Sequence, residues 1–155
     1  MTEKSIIEGL FRDYGHPRFR EINFHGYSAA PRHTRMFFSM RVFENEIENG
    51  GLAQFLWNVF FHWRAVTEDC SFGYAAIGAE KQAAAMPEII RLLEAHETMC
   101  GQYVARAMDT KDAAHFQTWY AAGERAMNTT LEELFYSNEN LDILKQAWIS
   151  SHQSK

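Results

Sequence analysis

Glu44-Asn45-Glu46-Ile47-Glu48-Asn49-Gly50-Gly51-Leu52-Ala53-Gln54-Phe55-Leu56-Trp57-Asn58 decides how this chain folds. The stretch reads as the end of one helix, a glycine corner and the start of a second helix. Upstream, Met36, Phe37, Met40, Phe43 and Ile47 recur at helical spacing and share one face. Thr34 is placed to cap that helix at its start. Gly50 is placed to end it, because glycine takes a positive φ without steric cost. Downstream, a helix from about Leu52 to Trp63 carries Leu52, Phe55, Leu56, Val59, Phe60 and Trp63 on one stripe. Trp57 and Phe61 form a second stripe on the other side. A helix apolar on two sides belongs in the centre of a bundle.

Working outward, residues 2–12 predict a short amphipathic helix with Ile6, Ile7, Leu10 and Phe11 on one side. Gly15, Pro17, Gly26 and Pro31 then break the chain, and residues 19–27 read as an irregular or extended arm. The arm is rich in aromatics and must dock, on its own body or, in a homodimer, on a second copy. Thr67-Glu68-Asp69 looks like a helix start, and Gly78 like its end. Residues 79–97 are helical again, with a kink or restart expected at Pro87, and Thr98 to Met108 forms one more short helix. Phe116, Trp119, Tyr120, Gly123 and Met127 line a further helix, and a glycine within that stripe predicts a close helix crossing. Thr130-Leu131-Glu132-Glu133 has the pattern of a capping box. Asn138 or Asn140 caps a last helix carrying Leu141, Leu144, Trp148 and Ile149. No stretch alternates at period two. The expected fold is all-α, a compact multi-helix bundle around a central two-sided helix. It divides into an N-terminal helix and arm over 1–33 and a helical body over 34–152.

The chain has 155 residues, 46% of them hydrophobic, which is enough for one buried core. No apolar run is long enough to span a membrane, and the first residues lack the layout of a signal peptide. Cys70 and Cys100 have no metal-site spacing and read as free thiols of a cytoplasmic protein. The net charge is −5. Residues 1–41 hold seven basic and four acidic side chains, a surplus of +3; the remainder holds eight basic and sixteen acidic, a balance of −8. An acidic body repels nucleic acid directly and favours basic partners.

Motifs for chemistry are lacking. Seven histidines occur, but neither Glu-x-x-His nor His-Glu-x-x-His does, so no metal and no cofactor is expected. There is no Gly-x-Ser-x-Gly elbow and no phosphate-cradling loop. The residues favour a non-enzymatic role. Gln54 and Asn58 stand at i, i+4 on an otherwise apolar helix and share a partly buried strip. Buried amides need partners. Together with Asn49 they read first as struts holding the glycine corner, and second as a small polar pocket for a ligand or partner.

Glu46, Asn49, Gly50, Gly51, Gln54 and Asn58 fit one larger pattern. It resembles the Glu-(Val/Ile)-x-Asn-Gly-Gly-(Phe/Leu)-x-Gln-(Phe/Tyr)-x-x-Asn signature of the bacterial DNA-mimic protein family. Ala76-Ile77-Gly78-Ala79-Glu80 and Leu131 to Tyr136 are similar to later blocks of that family, in the same order. The resemblance covers roughly residues 35–150. It implies a compact all-α domain and a role as an acidic interaction protein. In that role carboxylates imitate DNA phosphates and occupy the DNA-binding face of a basic transcription regulator or nucleoid protein. Glu80, Glu88, Glu132, Glu133, Glu139 and Asp142 are the candidate partner-binding residues, because they lie off the apolar stripes. The alternative is an immunity or regulatory module with a different protein partner, or a small-ligand binder at Gln54 and Asn58.

Overall fold

A computed structural model describes residues 1–16, 18–19, 21 and 27–153. The protein is all-α. Helix α1 spans Glu3–Tyr14, α2 Arg32–Asn58, α3 Trp63–Ile77, α4 Glu80–Thr110, α5 Ala114–Thr130 and α6 Leu141–His152. A short 3₁₀ turn at Tyr27–Ala29 precedes α2, and a π-helical turn at Leu131–Phe135 extends α5. Among the described residues no helix is long and apolar enough to cross a membrane.

Helix α2 is the central element, in contact with α1, α3, α4 and α5. Its fully buried side chains include Met36, Phe37, Met40 and Phe43 before the corner, and Leu52, Phe55 and Leu56 after it. Both of these stretches are core, whereas Trp57 and Phe61, expected to form a second apolar side, are only partly buried. Trp119 of α5 donates from its indole to the Ala53 carbonyl at 2.9 Å. A Cβ on Gly123 would stand 2.9 Å from the Ala53 Cβ, so the close crossing expected at that glycine is real.

Several boundaries differ from the sequence reading. Helix α2 begins at Arg32, and Thr34 lies inside it. Pro31 holds an extended conformation, and its carbonyl accepts the Thr34 and Arg35 amides. The second helix ends at Asn58 rather than Trp63, and Phe61 falls in the turn before α3. Helix α3 starts at Trp63, four residues before Thr67. The Thr67 hydroxyl bonds back to the Trp63 and Arg64 carbonyls, which is how threonine behaves within a helix. Helix α4 is one unbroken element through Pro87 and Thr98. Pro87 is exposed and shares a face with Ala83, so the carbonyl it deprives of a donor lies toward water. Thr130 caps nothing: it is helical, and the next five residues widen into the π turn. Leu131 and Phe135 are both buried there, which keeps the chain on its path.

Gly78 closes α3 in the left-handed conformation, as expected. Asn140 is the cap of α6 and accepts the Asp142 and Ile143 amides. Thr2 caps α1 through a reciprocal box with Ser5. Most of the predicted arm, residues 20 and 22–26, lies outside the described residues. Its end docks on the chain's own body. The Arg35 guanidinium donates to the Ser28 and Ala30 carbonyls and, at 3.0 and 3.1 Å, to both oxygens of buried Asp69. The Tyr27 hydroxyl joins the same cluster beside Ser39 and Asp69. Burial pushes that phenol well above its usual range.

Candidate functional site: an acidic groove beside the helix corner

The corner is built by two glycines with different tasks. Gly51, not Gly50, has the positive φ, at 72° with ψ −167°. Gly50 stays helical, and what it lacks is a Cβ: the Gln54 side chain lies where that atom would be. At Gly51 the same space is filled by the Asn128 amide of α5. The Gln54 and Asn58 amides donate to one oxygen of Glu46, at 2.9 and 2.8 Å. The polar strip therefore fixes a carboxylate across the corner. Asn49 is exposed. Replacing Gln54 by leucine removes one of the two donors holding Glu46. Urea unfolding should register a loss of about 1–2 kcal/mol.

One turn upstream on the same helix, Glu44 meets Lys145 of α6 at 2.7 Å. Lys145 is 2% exposed and also reaches Glu3 of α1 at 3.2 Å. Tyr74 of α3 donates to the other Glu44 oxygen at 3.1 Å. Burial holds the Glu44 carboxyl above its usual range, although Lys145 and the Tyr74 hydroxyl pull the other way. Burial alone would lower the Lys145 ammonium, but Glu44 and Glu3 outweigh it and hold the group above the ordinary lysine value. The lysine is therefore charged, and it ties the first and last helices to the centre.

A groove of about 420 Å³ lies between this part of α2 and the segment from Phe135 into the first turn of α6. Glu44 and Glu48 line one wall, and Glu139 and Asp142 line the other. Tyr136 stands at the mouth, 42% exposed. Partial burial, with the charges of Glu48 and Glu132, pushes its phenol up. The Lys81 ammonium donates to the Tyr136 carbonyl at the rim. Gln82 of α4 forms part of the lining and is itself buried.

Of the six acids chosen from the sequence, Glu139 and Asp142 come together in this groove, and Glu132 stands next to Tyr136. Glu133 is exposed on the π turn, and Glu80 is exposed on the first turn of α4. Glu88 is bound at 2.6 Å by Arg91, whose hydrogen bond holds the carboxyl below the usual carboxylate range. Its charge is cancelled within the chain. Among the described residues no basic side chain comes within 4.0 Å of Glu48, Glu132, Glu139 or Asp142.

A family model described as DMP19-like protein matches residues 28–152. The chain belongs to the DMP19-like protein family. No curated protein and no solved structure matches it. The match begins at the 3₁₀ turn and runs through α6, so it takes in the glycine corner and both walls of the groove. Glu3, a partner of Lys145, comes from outside the part shared with the DMP19-like model. Sequence reasoning passed over Glu48, although it stands four residues after Glu44 and thus on the same helical face. Nothing in the sequence pointed to Gln82. Among the described residues no group of three metal-ligating side chains comes together.

Proposed function

We propose that the protein is an acidic interaction module that occupies the DNA-binding face of a basic protein. The observation that carries the reading is the groove. Glu48, Glu132, Glu139 and Asp142 gather at one edge of a DMP19-like fold, and among the described residues none of them is in an ion pair. Carboxylates in that state present a negative field to a basic partner and repel a nucleic-acid backbone. The contact is electrostatic, so it weakens as salt rises and the Debye length shortens.

The test is a competition assay. Cross-linked partners are recovered at low salt, and each is assayed for duplex DNA binding with and without this protein. The expected partner is basic, binds duplex DNA and is displaced from it by the wild-type chain. The E48Q/E132Q/E139Q/D142N variant should fail to displace it. Binding that persists unchanged in 1 M salt, or a variant as effective as wild type, removes the proposal.

A further inference from the structure

We propose that the acidic groove is a receptor for one arginine side chain of the basic partner. The inference rests on the function proposed above and adds what the groove recognises. Its starting point is Gln82. This glutamine is 2% exposed and lines the groove. Its Nε2 donates to the Phe135 carbonyl and the Ser137 hydroxyl, both at 3.0 Å. Those two acceptors fix which end of the amide is nitrogen. Its Oε1 is buried and has no partner among the described residues. A buried acceptor without a donor is unfavourable until one arrives.

The groove holds one unmet acceptor, and among the described residues no cation is paired with Glu48, Glu139 or Asp142, the Lys81 ammonium at the rim being held by the Tyr136 carbonyl; both deficits call for the same kind of guest. Glu44, Glu48, Glu139 and Asp142 supply acceptor oxygens around it. Among the described residues the one ammonium paired with any of them is Lys145, which holds Glu44 and is already shared with Glu3. A guest must therefore be cationic and carry several N–H donors pointing different ways. A guanidinium has five in one plane, enough for two carboxylates and the Gln82 oxygen at once. An ammonium has three and is more strongly hydrated. The exposed Tyr136 ring at the mouth adds a face on which a planar cation stacks.

The experiment compares hexa-arginine with hexa-lysine, two peptides of equal charge, by titration calorimetry on the full chain over a range of salt. The expected result is binding of both, with hexa-arginine tighter by about tenfold. In Gln82→Met the preference should shrink toward parity while the salt dependence stays. In E139Q/D142N both peptides should weaken. Gln82→Met also loses two hydrogen bonds of the π turn. An NMR titration of the wild-type chain with N-acetyl-arginine methylamide therefore serves as an independent arm. The Gln82 side-chain amide should shift, and the lysine analogue should leave it in place. Equal binding of the two peptides, with no shift at Gln82, overturns the arginine receptor and leaves the acidic interaction module standing. A preference that survives unchanged in a folded Gln82→Met also overturns it. Absence of salt-sensitive binding to either peptide overturns both readings.

Discussion

Gly51→Ala should lower the stability by about 3 kcal/mol or more, a large fraction of what a domain of this size holds. Two costs combine. At φ 72° and ψ −167° the backbone occupies a region that L-residues with a side chain avoid. The new methyl would also enter the space of the Asn128 amide, which α5 presses against the glycine. Neither can relax cheaply, because Leu52 and Ala53 after the corner are fully buried and Ile47 before it is buried. A double-mutant cycle separates the two. Asn128→Ala removes a buried oxygen that has no partner among the described residues, so on its own it should cost little. Combined with Gly51→Ala it should recover the steric part and leave the dihedral part. Urea unfolding of the four proteins measures both. A Gly51→Ala protein within about 0.5 kcal/mol of wild type would mean that the corner is not built this way.

Lys145→Met carries the second large effect. Methionine fills the volume, but two carboxylates, Glu3 and Glu44, lose the cation between them. Breaking a buried pair on one side costs about 3–5 kcal/mol. The loss has a definite pH dependence. In the wild type, Glu44 is already held above 4.5 by burial, so its ionised form weakens the fold as pH rises through its folded value. Without Lys145 that value moves higher still. The variant's deficit should be full at pH 7 and shrink as pH falls and Glu44 takes up a proton. At the alkaline end the deficit shrinks again. Lys145 is held above 10.5, so its stabilisation is present below that value and is lost above it, and the two proteins should converge. Thermal unfolding at pH 4, 7 and 11 is sufficient. A deficit independent of pH would show that the methionine acts through packing alone.

Much of the fold was legible because helical spacing is a local property. The stripe from Met36 to Ile47 and the stripe from Leu52 to Val59 are both core, and Gly78 and Asn140 end and begin helices as their residue types require. The misreadings share one cause. Gly50 and Gly51 satisfy the same local rule. What separates them is Asn128, 77 positions from Gly51, packing against the second glycine. Thr67 and Thr130 look like caps because a hydroxyl before acids is a capping pattern, yet one bonds back into its own helix and the other is helical itself. Pro87 reads as a break only when its exposure is unknown.

The site was legible in part for the same reason. Glu139 and Asp142 could be chosen as off-stripe acids. Their meeting with Glu44 and Glu48 depends on an ion pair between residues 101 positions apart. Gln82 could not be found at all, since a glutamine on a helix is ordinary until its neighbours are known.

That ion pair also bears on synthesis. Lys145 joins Glu44 across 101 positions and Glu3 across 142. A nascent chain emerging from the ribosome can stack α3 on α2 early, since those two helices are adjacent in sequence. It cannot close the α6 wall of the groove before residue 145 has emerged. Until then Glu3 and Glu44 lack their common cation, and the groove has a single side. Closure of the groove therefore waits on contacts far apart along the chain.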